Sequence, residues 1–224
     1  YIDSNIFGFF NLINNIKKNK IKKFFYASSS SVYGERKKFP LKENDPINPK
    51  NIYGLTKKNN EEMVEIFFRG TNTKVTGLRF FTVFGEWGRP DMLVYKYLES
   101  LFNRKKIFFL NNYGNHTRDF TYIEDVCLIM FKLLGKRSNK HHQIFNICSN
   151  NPVKITSVIN RLNSNFKNKI PNIKKRAFQL ADVKKTHGHN KNIKQHLNIK
   201  KFHNINKALD KTCAWYSKNW KIYS

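Results

Sequence analysis

Apolar residues at Ile6, Phe9, Phe10, Ile13 and Ile16 recur at the three- and four-residue intervals of a helix face, which predicts an amphipathic helix over residues 4–18, capped by Ser4 or Asn5. After a basic connector the rhythm changes. Phe24, Phe25, Tyr26 and Ala27 form a short unbroken apolar run that stops at the hydroxyl-bearing Ser28, Ser29, Ser30 and Ser31, the pattern of a buried parallel strand. Behind Pro49 a helical pattern through Glu61, Glu62, Met63, Ile66, Phe67 and Phe68 predicts a second helix over residues 51–70. Residues 75–81 (VTGLRFF) read as the next strand. Their continuation TVFGEWGRPDM reads as loop, because Gly85, Gly88 and Pro90 interrupt any regular period.

Asp91 is placed to cap a helix through Val94, Tyr95, Leu98 and Leu101. Residues 106–110 follow as a strand, NNYGNHT as a turn, and DFTYIEDV as the start of a helix reaching Leu134. A strand over 143–148, a helix over 155–166 and a last helix over 204–220 complete the pattern, with a lysine- and asparagine-rich stretch between the last two. Alternating strands and helices imply a parallel sheet with right-handed crossovers. In such sheets ligands bind beyond the carboxyl ends of the strands, where the four serines stand.

The chemistry with a physical rationale begins at Tyr53 and Lys57 in NIYGLTKK. Four residues apart on a helix, the two side chains share a face, so an ammonium can stand near a phenol. A phenol of ordinary pKa, about 10, is a poor base at neutral pH, and a neighbouring cation favours its ionised form. The pair is therefore suited to taking a proton from an alcohol. Tyr33 and Lys37 share the spacing, but Gly34 and Pro40 place them in a loop.

Composition narrows the alternatives. The net charge of +27 suggests an anionic partner, yet the basic residues are spread along the chain among Asn, Ile and Phe instead of clustering on one element. That spread resembles the amino-acid bias of an AT-rich genome, and no nucleic-acid partner is expected. Cys127, Cys148 and Cys213 lie far apart and read as buried, reduced thiols. The histidines have surface character and lack the companions of a metal site, so no metal is expected. Without an apolar run of about 18 residues or a cleavable leader, the chain reads as soluble, cytoplasmic and free of the membrane. No GxxGxxG or GxGxxG turn follows a strand, and the first residue is Tyr, so the cofactor half of a dinucleotide enzyme is expected to be missing here.

Three local sequences, YASSSSVYG, the helical YGLTK, and LRFFTVFGEWGRPDM followed by RDFTYIEDV, together resemble the extended short-chain dehydrogenase/reductase family. Within it they are most similar to nucleotide-sugar epimerases of the UDP-glucuronate 4-epimerase type. The resemblance implies an α/β fold: the C-terminal part of a Rossmann-type doubly wound parallel sheet plus a smaller α/β substrate-binding subdomain. Residues 1–82 would carry the catalytic groups and residues 83–224 would mostly bind substrate, with 120–148 returning to the sheet.

Carried across residue by residue, the resemblance implies Tyr53 as acid/base, Lys57 as its partner on the nicotinamide ribose, and Ser29 as the catalytic hydroxyl. Asn5 and Ser28 would help hold NAD. Ser30, Ser31 and Thr82 would line the sugar pocket, and Arg89 would bind the sugar carboxylate with a guanidinium fork that matches both oxygens. Arg118 would hold the UDP diphosphate and Asp182 the uridine ribose, although the residues before that Asp, Leu180 and Ala181, depart from the family's Pro-Gly. The family's dehydratases and decarboxylase carry acidic residues at the positions of Ser30 or Ser31, so serine at both implies removal and return of hydride at C4. The expected reaction is NAD-dependent epimerisation of UDP-glucuronate to UDP-galacturonate through a 4-keto sugar. The alternatives are another UDP-sugar epimerase and a non-catalytic fragment lacking the cofactor loop. The resemblance further implies a homodimer through helices 4–18 and 51–69, where Phe9, Phe10, Leu12, Phe67 and Phe68 offer more apolar surface than one core face needs.

Overall fold

The computed structural model describes residues 1–223 apart from Arg104 and Asn139. In chain order its elements are α1 (Gly8–Lys18), β1 (Lys23–Ser29), α2 (Ile52–Phe67), β2 (Lys74–Phe80), β3 (Thr82–Phe84), α3 (Leu93–Phe102), β4 (Ile107–Leu110) and β5 (Thr117–Tyr122). They continue with α4 (Ile123–Gly135), β6 (His142–Ile147), β7 (Pro152–Lys154), α5 (Ile155–Ser164), β8 (Asn172–Lys175), α6 (Lys191–Leu197) and α7 (Ile205–Asn219). Strands β1, β2 and β6 form a parallel sheet in that order, with Ser28 beside Arg79 and Ser29 beside Phe80. A second sheet places β5 between β3, parallel to it, and the antiparallel β7, and a third pairs β4 with β8. The α/β class and the parallel sheet expected from the alternation of elements are present.

The alternation of side chains along β1 and β2 sorts the core into layers. Phe24, Tyr26 and Val75 face α1 and α2, where they pack with Ile13, Ile16, Val64 and Phe68. Leu78 points the other way, toward Val126, Ile129 and Leu133 of α4 and Ile193 and Leu197 of α6. A third core lies beyond that sheet, where α3, α5 and α7 close over Phe108, Phe120 and Tyr122. Its aromatic content is high because Tyr95, Tyr97 and Tyr216 are all buried there.

Several expectations need correction. Residues 119–122 of DFTYIEDV are strand, and the helix starts only at Ile123. Phe120 and Tyr122 face the third core with the two-residue period of a strand, a signal hidden by the acidic residues that open α4. Neither Ser4 nor Asn5 caps the first helix: the chain enters α1 through a π-helical turn over Asp3–Phe7. Asp91 does not cap α3 either, because its carboxylate pairs with Arg89 and the N-cap residue is Met92. The lysine- and asparagine-rich stretch holds β8 and α6, and TVF within the expected loop forms β3. Cys127 is exposed on α4, whereas Cys148 and Cys213 are buried as expected. His116 is buried. Phe68 contributes nothing to an outer face, being wholly buried against Phe24. No helix among the described residues is long and apolar enough to cross a membrane.

Candidate active site

Helix α2 begins where the Asn51 side chain accepts a hydrogen bond from Gly54 N at 2.8 Å. Tyr53 therefore sits in the first turn and Lys57 one turn on, as the spacing predicts. The Lys57 ammonium lies 5.9 Å from the centre of the Tyr53 ring and donates to the carbonyl of Ala27 on β1 at 3.0 Å. Partial burial pushes the Lys57 pKa down. The ring of Tyr1 packs against Tyr53 with centroids 5.3 Å apart.

β1 runs out into the serines and turns into a 3-10 helix over Ser30–Tyr33. Ser29 Oγ accepts from Ser31 N at 3.1 Å, which fixes its rotamer at the strand end. The turn and α2 meet backbone to backbone at Gly54, where a Cβ would lie 2.6 Å from Ser31 O. Any side chain at this position would push the serines away from Tyr53.

Beneath the serines lies a buried polar network that sequence reading missed. Arg79, in the centre of the apolar β2, donates through Nε and Nη2 to the two carboxylate oxygens of Glu61 at 2.9 and 2.8 Å. Ser28 donates to Glu61 Oε1 at 2.5 Å, and Arg79 Nη1 donates to Tyr33 OH at 2.9 Å, which donates to Asn146 Oδ1 at 2.7 Å. The Arg79 guanidinium is held charged, its proton affinity raised by Glu61 against the opposing cost of burial. Burial pushes the Tyr33 phenol up to about 12. That phenol is a structural donor, which separates the second YxxxK pair from the first.

The loop after β2 forms the opposite wall. Thr82 and Arg89 face Tyr53 and Ser29, Ser30 and Ser31 across a cleft of about 590 Å³. Arg89 is exposed and already paired, its Nε donating to Asp91 Oδ1 at 3.0 Å, and that bond holds its pKa up and the Asp91 pKa down. Glu86 also lines the cleft, with both carboxylate oxygens 2.8 Å from the Tyr122 hydroxyl. The loop is clamped from behind by α3 and the C-terminal elements. Trp87 packs on Trp215 of α7 at 5.0 Å, Tyr223 OH donates to Gly88 O at 3.2 Å, and Tyr95 OH donates to Gly85 O at 2.8 Å.

A second cleft of about 250 Å³ adjoins the first and shares Thr82, Asp91 and Met92 with it. Arg118, Asp182 and Lys96 line it. Arg118 Nη1 donates to the carbonyls of Thr117 at 3.0 Å and Lys184 at 3.1 Å, while burial draws its proton affinity down. The segment carrying Asp182 is tied to the start of α2, since Lys50 Nζ donates to Asp182 O at 3.0 Å and Asn51 Nδ2 to Ala181 O at 3.3 Å.

The structure thus brings Tyr53, Ser29, Ser30, Ser31, Thr82 and Arg89 to one cleft, with Lys57 beside it, and Arg118 and Asp182 to the next. Two expected ligand residues point elsewhere. The hydroxyl of Ser28 is turned inward to Glu61, and the amide of Asn5 donates to Thr56 Oγ1 at 3.0 Å, fastening the π-helical turn to α2. Among the described residues no cluster of His, Cys, Asp and Glu could hold a metal ion.

Known proteins are similar to this chain over nearly its whole length. Residues 1–148 match the NAD dependent epimerase/dehydratase family. An uncharacterised protein of Methanocaldococcus jannaschii is 37% identical over 99% of this chain and 68% of its own length. UDP-glucuronate 4-epimerase 3 of Arabidopsis thaliana is 34% identical over 96% of this chain, which spans 54% of that protein. The crystal structure of UDP-glucuronic acid 4-epimerase from Bacillus cereus, in complex with UDP-glucuronic acid and NAD, superposes with a TM-score of 0.89. It is 25% identical and is matched over 98% of this chain and 69% of its own.

Proposed function

The chain belongs to the NAD dependent epimerase/dehydratase family, and from that premise we propose that it serves the C4 epimerisation of a UDP-uronic acid, interconverting UDP-glucuronate and UDP-galacturonate. The observation that carries this reading is the pair of adjoining clefts. One gathers Tyr53, the strand-end serines and Arg89; the other holds Arg118 and Asp182; they communicate past Thr82 and Met92. A sugar in the first and a nucleotide in the second would form one ligand.

NAD is the cofactor of this chemistry. The residues present fit its nicotinamide-ribose end: an ammonium has three donors, and the one hydrogen bond to Ala27 O leaves Lys57 able to hold ribose hydroxyls beside Tyr53. Lys57 and Tyr53 would hold that end of NAD, and the chemistry it would supply there is reversible hydride acceptance at sugar C4. The chain's own groups manage the proton and the orientation. Tyr53 removes the C4 hydroxyl proton beside the Lys57 ammonium, Ser29 donates a hydrogen bond to the same oxygen, and Tyr53 gives the proton back after the sugar has turned. Arg89 and Thr82 would hold the carboxylate, and Arg118 and Asp182 the UDP. Asn5 would act at one remove, by setting the π-helical turn against α2.

A second reading, epimerisation of a UDP-sugar without a carboxylate, has its own support. Asp91 occupies the Arg89 fork, and Glu86 adds a negative charge to the sugar cleft. Titrating UDP-glucuronate and UDP-glucose into the chain separates the two. Arg89→Ala is expected to weaken UDP-glucuronate by about tenfold or more and UDP-glucose by less than about twofold, while Asp91→Asn tightens UDP-glucuronate. Equal losses for both sugars would leave Arg89 without a role in specificity and favour the second reading.

Exposed Phe10 and Leu12 of α1 and Ile52, Leu55 and Ile66 of α2 support a homodimer through these two helices. Light scattering is expected to give twice the chain mass, and Leu55→Glu together with Phe10→Glu the single mass; a monomeric parent chain would refute the assembly. Free cysteines fit a cytoplasmic setting.

A further inference from the structure

His116, two residues before Arg118, is 3% exposed, and its Nε2 has no hydrogen-bond partner. Asn111 Oδ1 is likewise buried and unpartnered. Both residues line the cleft that holds Arg118, Lys96 and Asp182. Buried polar atoms are nearly always paired, because an unsatisfied one forfeits its hydration without return. Two in one cleft mark the places where a ligand completes the bonding. The walls carry the cations Arg118 and Lys96 and the carboxylates Asp91 and Asp182, and Asp91 is already paired with Arg89. Next to Arg118, the nearest cation in sequence, a strong anionic acceptor belongs beside the imidazole.

We infer that His116 is a diphosphate-binding residue, its Nε2 hydrogen-bonding a phosphate oxygen of the same nucleotide that Arg118 holds. This rests on the reading of the cleft as a UDP-sugar site. Asn111 Oδ1, an acceptor only, suits a hydroxyl of the adjoining ribose. In the free site burial and then the Arg118 charge lower the imidazole pKa, with Asp182, a hydrogen bond to the Asn111 main chain and Glu35 opposing. A bound diphosphate offsets Arg118 and draws a proton onto His116. The complex therefore holds more protons than its parts, and affinity rises as pH falls.

The test is calorimetric titration of UDP-glucose into the whole chain, from about pH 5.5 to 8, a range in which its diphosphate does not titrate and imidazole does. His116→Phe is expected to raise the UDP-glucose Kd about tenfold and to flatten its pH dependence. Its thermal midpoint should be unchanged or higher, because an unsatisfied polar atom has been removed. His116→Gln, which keeps a donor, should lose less affinity, and uridine should bind both variants as it binds the parent chain. Unchanged UDP-glucose affinity in His116→Phe would overturn the inference, as would a lower thermal midpoint with parallel losses for UDP-glucose and uridine. Failure of the parent chain to bind any UDP-sugar would instead overturn the reading of the cleft.

Discussion

Replacing Tyr53 with Phe is expected to slow UDP-sugar epimerisation by about a hundred- to ten-thousandfold, the range typical for loss of a positioned general acid/base, with UDP-sugar affinity changed by less than about threefold. Only the phenol oxygen is lost. The ring keeps its contact with Tyr1, and the Asn51 cap that sets its position is untouched. The effect should therefore fall on the rate constant and spare binding, which the proposed reading assigns to Arg118 and Asp182 in the adjoining cleft. Lys57→Met should act in the same direction and additionally weaken whatever NAD binding the parent chain shows. Following the C4 configuration of the sugar by proton NMR measures the rate directly. A Tyr53→Phe protein that turns over at the parent rate would place the base elsewhere in the cleft and dissolve the pairing of Tyr53 with Lys57.

Arg79→Met is expected to destabilise the fold by about 3–5 kcal/mol, the cost of breaking a buried ion pair from one side. Its side chain and that of Glu61 are 4% and 5% exposed, and two parallel hydrogen bonds join them. Removing the guanidinium leaves a carboxylate that water cannot reach, with only the Ser28 hydroxyl for company, and strips Tyr33 of one partner. The double variant Glu61→Gln with Arg79→Met should recover part of the loss, because the uncompensated charge is gone. Urea unfolding followed by circular dichroism reads both. A single variant that loses under about 1 kcal/mol would show that solvent enters this layer and that the network is not a closed unit.

Much of this arrangement was legible in the sequence where a signal is local. Helical periodicity located α1, α2, α3 and α7, and the apolar runs located β1 and β2, because each of these elements buries a face whose spacing survives heavy lysine substitution elsewhere. The contrast between Tyr53 and Tyr33 was legible in part: a following α-helix supports one, whereas the other, expected in a loop, closes the 3-10 turn Ser30–Tyr33 ahead of Gly34. What escaped depends on partners distant in the chain. Arg79 stands in the apolar run VTGLRFF, and its partner Glu61 lies 18 residues away in the chain. Asp91 had the position of a cap, but a guanidinium two residues back outcompetes the amides of α3 for its carboxylate. Ser28 and Asn5 were assigned to the cofactor by resemblance alone, and their side chains turn to neighbours that one-dimensional reading cannot supply. β8 and α6 went unseen because Lys and Asn dilute the apolar positions on which a period is counted.

The approach of α2 to the serine turn at Gly54 has a consequence for how this enzyme tolerates change. The interval between the phenol and the serine hydroxyls is set by main chain resting on main chain, a hard stop with no adjustable part, so substitutions scattered over the surface leave that interval as it was. Lysines added on exposed positions leave the separation of these oxygens unchanged. Residue 54 is the point at which a single methyl group would spoil the tolerance of the whole assembly.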